Sequence, residues 1–286
     1  GIGGALVSFG GTIALINTLM YANEATANGG AISAEGGTIN MINCTIADNK
    51  ANRGGGVHFF RGSIDASNTI FSNNEGINGN FNNDGGSGTG TANHCLFFNE
   101  TEDNTGKLPP DITGSENLEA VFPKYNTEYT LDYNSPAVDA GDTDAKSLEK
   151  DLNGVNRISN STIDIGAYEV KACSDFGLDS IIYVDQTATG RNNGSDWKNA
   201  FKSLEYALSF QESCGFAGEI RVAGGQTFRP STSRLCTSGC DSPRASYFLI
   251  HKDIQLKGSY VTGTDKQDYT NPTILSGDIG VLNDKS

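Results

Sequence analysis

The sequence predicts an all-β chain, a parallel β-helix followed by a smaller α/β module. Two observations predict the solenoid and a third predicts the module. A short pattern comes round four times in the first hundred residues, and the runs inside each repeat alternate at strand period. Helical spacing is confined to one later stretch, residues 197–211.

The pattern is framed by asparagines: Asn17-Thr-Leu-Met-Tyr-Ala-Asn23, Asn43-Cys-Thr-Ile-Ala-Asp-Asn49, Asn68-Thr-Ile-Phe-Ser-Asn-Asn74 and Asn93-His-Cys-Leu-Phe-Phe-Asn99. The first asparagines are 26, 25 and 25 residues apart (43−17, 68−43, 93−68), and the second falls six residues later each time. Glycine-led segments keep the same beat at Gly3-Gly-Ala-Leu6, Gly29-Gly-Ala-Ile32 and Gly55-Gly-Val57. So do Gly10-Gly-Thr-Ile13, Gly36-Gly-Thr-Ile39 and Arg61-Gly-Ser-Ile64. A fixed period in the twenties means one supersecondary unit stacked on copies of itself. Runs such as Thr38–Ile46 alternate, glycine and asparagine break them, and the leucine-dense frame of leucine-rich repeats is missing. Three short strands per turn remain. Parallel strands stack about 4.8 Å apart, so each repeat column becomes a ladder. Asn17, Asn43, Asn68 and Asn93 are expected to form an amide ladder at an inward-turning corner, with Met20, Ile46, Phe71 and Leu96 stacked as the interior.

Gly-Gly-Ala-Ile followed by segments such as Ile46-Ala-Asp-Asn49 and Phe71-Ser-Asn-Asn74 resembles the repeat of polymorphic outer-membrane proteins and related bacterial right-handed β-helix surface proteins. That resemblance covers residues 1–100 and implies a right-handed solenoid.

After Phe71 the regularity decays into a Gly/Asn/Ser/Thr-rich loop, and from Glu100 to Tyr125 the chain is polar, with Pro109, Pro110 and Pro123. The repeat array is expected to end there. Residues 129–169 carry Ser135-Pro-Ala-Val-Asp-Ala-Gly-Asp142, Asp151-Leu-Asn-Gly-Val-Asn-Arg157 and Ile163-Asp-Ile-Gly-Ala-Tyr-Glu169. This resembles the C-terminal closing segment of the bacterial β-helix family called choice-of-anchor Q. The resemblance implies that residues 101–170 cap the β-helix, since an open end of unpaired amides recruits other strands.

Residues 171–286 begin with a strand, Ser180–Asp185. Trp197, Phe201, Leu204 and Leu208 then repeat at i, i+4, i+7 and i+11, which predicts an amphipathic helix from Trp197 to about Gln211, capped by Ser195 or Asp196 and stopped at Gly215. Strands follow at Glu219–Ala223, Tyr247–Ile250, Ile254–Gly258 and Thr273–Asp278. Strand, Asn-Gly-Ser-x-Trp, helix and Ile-x-Val-Ala-Gly-Gly together resemble the N-terminal cap of the same family, with a first coil after it. The domains are therefore expected at 1–100, 101–170 and 171–286.

Charge and cysteines bound the function. The chain has 286 residues with 36 glycines, and 20 basic against 34 acidic residues give a net charge of −14. Such a chain repels phosphate backbones, which argues against nucleic acid as a partner. No apolar run approaches the roughly 20 residues of a membrane span. Gly1 opens inside a repeat, so the chain reads as a segment of something longer or as a mature product. Cys44 and Cys95 lie two coils apart, about 9.6 Å, beyond the roughly 7 Å Cα limit of a disulfide, and are expected as buried free thiols. Pairing Cys173 with Cys214 and Cys236 with Cys240 is the natural reading of the other four and implies an extracellular, oxidising compartment; four reduced thiols are the alternative.

Three groups of residues are candidates for chemistry. Glu24, Lys50, Glu75 and Glu100 lie seven residues past their ladder asparagines. Glu75 and Glu100, about 5 Å apart on neighbouring coils, match the spacing of a retaining glycosidase pair; a solvated column bridged by Lys50 is the alternative. Asp139, Asp142, Asp144 and Asp151 offer oxygen ligands of the kind calcium takes, without EF-hand spacing. The alternative there is a turn-rich cap in which Asp139, Arg157 and Asp164 form a buried network. His58, His94 and His251 are scattered, with no Ser-His-Asp or His-x-x-His arrangement. The expectation is a structural or adhesive extracellular surface protein without a catalytic site. It would be part of a β-helix stalk or filament that stacks head to tail on further copies of itself or adjoining β-helix segments, with surface glycans as further candidate partners. A polysaccharide lyase, a glycoside hydrolase or a glycan-binding module on the same scaffold is the competing reading.

Overall fold

A computed structural model describes residues 1, 3–83, 88–99, 112–125, 128–145, 148–159, 161–173, 181–215, 218–230, 248, 250 and 253–276. They form two compact units, Gly1–Leu131 with Ser135–Lys171, and Asp132–Asn134 with Ala172–Ser286.

The first unit is a parallel β-solenoid of about four turns. Its first face stacks Leu6–Ser8, Ile32–Ala34, Val57–Phe59 and Phe81–Asn83. The second stacks Thr12–Ile16, Thr38–Ile42, Ser63–Ser67, Thr89–Asn93 and Ile112–Thr113. The third stacks Leu19–Tyr21, Thr45–Ala47, Ile70–Ser72, Leu96–Phe98 and Leu118–Glu119. Every ladder in it is parallel, so each strand lies on its counterpart one turn earlier. Alternation along the strands sends one set of side chains inward, and Ile39, Met41, Ile46, Ile64, Phe71 and Phe97 fill the bore. The turn between the first two faces explains one recurrent glycine. Gly37 and Gly62 have φ of 86° and 101°, and a Cβ on Gly62 would stand 2.0 Å from the Gly37 carbonyl oxygen beneath it. Only glycine permits both that backbone and that approach.

Register departs from the asparagine count in the fourth turn. Asn93 pairs with Ser67, and Leu96 and Phe97 pair with Ile70 and Phe71, a spacing of 26 (93−67, 96−70) where the asparagines suggest 25. The corner position therefore runs Asn17, Asn43, Asn68 and His94, all left-handed with φ of 47–52°. Phe97, not Leu96, completes the interior column with Met20, Ile46 and Phe71, and the Phe71 and Phe97 rings stack 5.3 Å apart. Leu96 lies on the outer surface of the third face.

The amide ladder also lies elsewhere than expected. Asn23 donates to Asn49 Oδ1 (2.8 Å), Asn49 to Asn74 Oδ1 (2.9 Å) and Asn74 to Asn80 Oδ1 (2.8 Å). It is thus the second asparagine of the first three repeats that stacks, with Asn80 taking the fourth place and Asn99 donating to the Asn74 carbonyl instead. At that corner the amide points into a space without solvent, and its neighbours one turn away supply the partners. No side-chain amide bond joins Asn17, Asn43, Asn68 and Asn93 to one another among the described residues. Asn17 and Asn68 turn outward to residues 142–157, and Asn93 Oδ1 accepts from Ser115.

Described residues of 135–170 form a strap along the side of the stack. They bond Asn17 in the first turn, Thr45 in the second and Asn68 in the third. This strap covers the outer surface of the third face, and Thr45–Ala47 and Ile70–Ser72 are consequently buried on both sides. Described residues 112–125 extend the second and third faces by one further short strand each.

The second unit is a three-stranded parallel sheet in the order Ile181–Val184, Glu219–Ala223, Gln255–Tyr260, with helix α1 (Leu204–Ser213) on one face. Ile182, Val184, Ile220 and Val222 pack there against Phe201, Leu204, Leu208 and Phe210. The helix starts later than its apolar spacing predicts. Ser203 is the N-cap, accepting from the Tyr206 amide, and Gly215 follows the C-cap with φ 64°. Before it, Asp196 and Asn199 bind local amides in turns, which competes with helix, and Phe201 joins the sheet by a bridge to Val184. Thr227–Phe228 and Ile274–Leu275 form a further parallel pair. Cys173 and Cys214 are disulfide-bonded, and Cys44 and Cys95 are buried free thiols, as expected. Cys236 and Cys240, like most of the expected Tyr247–Ile250 strand, lie outside the described residues.

Candidate functional site on the flank of the solenoid

The seam between strap and solenoid gathers the chain's least ordinary side chains. Its centre is Arg157, which is 0% exposed. The guanidinium donates through Nη1 to Gly166 O (2.9 Å), and through Nη2 to Ala167 O (3.0 Å) and to Asn17 Oδ1 on the first turn. Glu169 Oε2 lies 3.7 Å from Nη1. Buried Asp164 accepts from the Asp139 amide (2.8 Å) and the Val170 amide (2.6 Å). Asp151 accepts from Asn153 and Val155 through Oδ1 and from the Glu169 amide through Oδ2. The buried network expected around Asp139, Arg157 and Asp164 is therefore present, with Glu169 as the arginine's nearest carboxylate and Asp139 joined through its backbone.

Burial lowers the Arg157 pKa, and the Glu169, Asp151 and Asp164 carboxylates oppose that shift. Burial first, and the Asp164 charge second, push the Glu169 carboxyl well above the usual carboxylate range. Burial also raises Asp164, whose two short amide donors favour its ionised form, whereas Glu169 Oε1 is buried without a partner among the described residues. Glu169 is thus the carboxyl that keeps a proton.

The sign of the pH effect follows. A glutamate in the unfolded chain titrates near about 4.3, so above that pH the folded state binds more protons than the unfolded one. This stabilisation is complete below the unfolded pKa and is lost as pH rises through the higher folded value. Denaturant titrations between pH 5 and 8 are expected to show stability of the first unit falling by up to about 1.4 kcal/mol per pH unit. Glu169→Gln should flatten that slope; an unchanged slope would rule out Glu169 as its source.

A second feature of the seam is a row of rings. The outer column Tyr21–Ala47–Ser72–Phe98 is large, small, small, large. Tyr125 and Tyr129, which precede the strap, fill the notch: the Tyr125 hydroxyl is hydrogen-bonded to Ser72 Oγ, and the Tyr129 hydroxyl donates to Asp48 Oδ2 (2.7 Å). Neighbouring centroids in the order Tyr21, Tyr129, Tyr125, Phe122, Phe98 are 5.0, 5.0, 6.2 and 5.2 Å apart. Such pairs contribute about 0.5–1.5 kcal/mol each beyond area burial, so the row helps to hold residues 122–129 on the third face. Nothing in the spacing of the repeat announces it. The one legible signal is the pair of small residues, Ala47 and Ser72, in an otherwise bulky column.

Comparison with protein-family models, with curated proteins and with solved structures finds no match to this chain.

Several of the remaining candidates have protein partners. Lys50 Nζ lies 2.7 Å from Glu75 Oε1 in an exposed pair, as the solvated-column reading expects, and Glu100 falls outside the described residues. Asp139 Oδ1 accepts from Ser161 and Thr162, and Asp142 Oδ1 from Asp144, which is exposed on a 3-10 turn. Among the described residues no group of three or more His, Cys, Asp or Glu is arranged to hold a metal ion. No described helix is long and apolar enough to cross a membrane. Burial pushes the Cys44 thiol up to about 11 and the Cys95 thiol up to about 12. In the second unit, opposing its partial burial, hydrogen bonds from Lys257, then Arg221 and Tyr260, hold Glu219 down at about 2. Those residues cover the sheet face opposite α1, where Trp197 packs between Tyr183 and Tyr260.

Proposed function

We propose that this chain is a structural, adhesive segment of an extracellular β-solenoid stalk or filament. The observation that carries the reading is the strap. Coils of a solenoid bind only their neighbours and can peel from an end one at a time. Here one covalent segment is bonded to three successive turns, at Asn17, Thr45 and Asn68, and is locked by a fully buried arginine. That is a device for making turns yield together, which a stalk under load requires. The Cys173–Cys214 disulfide suits an oxidising, extracellular compartment. The resemblance of the repeats to polymorphic outer-membrane proteins, and of residues 129–169 to the choice-of-anchor Q segment, supports the same reading.

Assembly in this proposal is head to tail, through further coils that come from adjoining β-helix segments or from other copies. The strands Leu6–Ser8, Thr12–Ile16 and Leu19–Tyr21 end their sheets, and Val7 and Phe9 are exposed beside that edge. A heterologous contact between such coils propagates without closing. The parallel pair Thr227–Phe228 and Ile274–Leu275 would be the start of the receiving coil. Electron microscopy of the protein isolated from its native source tests the reading: thin rods with a regular axial repeat are expected. Discrete particles without axial order would overturn it.

A further inference from the structure

We infer that the Cys173–Cys214 disulfide is a redox-sensitive clasp that decides whether the strand and helix it encloses carry tension. The loop it closes contains Ile181–Val184, Phe201 and helix α1, which supply Ile182, Val184, Leu204, Leu208 and Phe210 to the core of the second unit. A pull on the polypeptide follows the covalent path. With the bond closed it passes from Cys173 straight to Cys214, the C-cap of α1, and the 40 residues between them (214−173−1) are unloaded. With the bond open the same pull falls on Ile181–Val184 and then on α1. That strand ends its sheet, held by Glu219–Ala223 on one side and by a single bridge to Phe201, inside the same loop, on the other. The helix has ten residues, too few to persist once its packing is lost. Opening the clasp therefore puts the most easily parted elements of the unit first in line.

Two observations make the bond a switch rather than a fixed staple. Cys173 is exposed and Cys214 half-buried, whereas Cys44 and Cys95 are buried in the solenoid. Exposed disulfides are the ones that exchange with thiols in the folded state. A small-molecule thiolate attacks Cys173 Sγ, the S–S bond breaks, and Cys214 leaves as a thiolate that takes up a proton. A second thiol then releases Cys173, so two external thiols are oxidised to a disulfide as the cystine is reduced to two thiols. At rest the helix keeps its place without the bond, because Asp132–Asn134 also hold it. Asn134 Nδ2 donates to Glu212 Oε2 (3.3 Å), Ser213 Oγ donates to Asn134 Oδ1 (2.8 Å), and the Tyr133 ring meets Phe210 edge-on at 5.0 Å. Opening thus changes the load path and leaves the resting fold in place. The tension meant here is that of a stalk, so the clasp's purpose rests on that reading. Force measured on single molecules reports the clasp whether or not rods form.

The test is single-molecule pulling of the full chain through handles at its two ends, before and after treatment with dithiothreitol in native buffer. Alkylation after that treatment should find new thiols at Cys173 and Cys214, with Cys44 and Cys95 unlabelled and the circular dichroism unchanged. Reduction is expected to lengthen one unfolding step by about 140 Å, from 41 residues at about 3.6 Å each less the 5.4 Å between the bonded Cα atoms. A bond between Cys236 and Cys240 would hide only three residues (240−236−1), so the step length identifies the clasp. The same step should move to lower force. Cys173→Ser without reductant should reproduce both changes, and the oxidised and reduced natural chain carries the test if that variant fails to fold. A bond that opens only after denaturant has unfolded the chain would overturn the proposal. So would a lengthened step at unchanged force, which would make the bond a passive link.

Discussion

Arg157→Met is expected to destabilise the first unit by about 3–5 kcal/mol, more than any other single change on the seam. The side chain is 0% exposed, and its removal leaves the Asp164 carboxylate buried without its counter-charge. The carbonyls of Gly166 and Ala167 and the Asn17 amide oxygen lose their donors in the same step. Methionine fills much of the volume, so the loss measures charge and hydrogen bonding rather than a cavity. Urea titration should show a lower midpoint with little change in slope. Limited proteolysis should then cut first within residues 135–170, because the strap loses its lock while the coil ladders remain. A loss below about 1 kcal/mol would mean that the buried arginine adds little beyond an apolar side chain, which is known for some buried ion pairs.

Asn49→Ala should cost about 2–4 kcal/mol, and Asn43→Ala less than about 1 kcal/mol. Both asparagines are 0% exposed, and from the repeat alone they stand in equivalent frames. Asn49 donates to Met20 O, Ala47 O and Asn74 Oδ1, and its Oδ1 accepts the Asn23 amide and side chain. Truncating it strands groups on three successive turns, where water cannot reach them. Neither side-chain polar atom of Asn43 has a partner among the described residues, so its removal strands nothing. Parallel urea titrations of the two variants decide between the columns. A greater loss at Asn43 would return the ladder to the first asparagine of each repeat.

The comparison of these two columns shows what repetition can convey. The period, the alternation and the glycine turns identify a stacked parallel solenoid, because each is a local requirement repeated once per turn. Which asparagine faces inward is a matter of corner direction, and the left-handed φ at positions 17, 43 and 68 is set by the turn as a whole. The fourth turn illustrates the limit. Asparagine spacing places Asn93 on Asn68, yet His94 takes the corner and Phe97 the bore. A phenylalanine against Phe71 and Phe81 fills that interior better than the smaller leucine.

The candidate site was legible only in part. Asp139, Arg157 and Asp164 stood out as a prospective network because one segment supplies all three. Glu169 belongs to the same segment and was missed as the arginine's partner, since which carboxylate faces the guanidinium depends on how residues 164–169 turn. The aromatic row gave no sequence signal beyond a gap. Tyr21 and Tyr129 are 108 residues apart (129−21) and meet only because residues 122–129 lie along the third face.

By itself, then, the sequence determined the solenoid, its parallel strands, its buried free thiols at Cys44 and Cys95, and its net acidic charge. These follow from periodicity, composition and the fixed rise of stacked strands, which do not depend on distant partners. The tertiary structure alone decided the register of the fourth turn, the column that forms the amide ladder, and the docking of the strap along the side of the stack. Each of those is a choice between surfaces that look alike along the chain. It is settled by which arrangement fills volume and leaves fewest buried polar groups without partners, and only the assembled fold defines both.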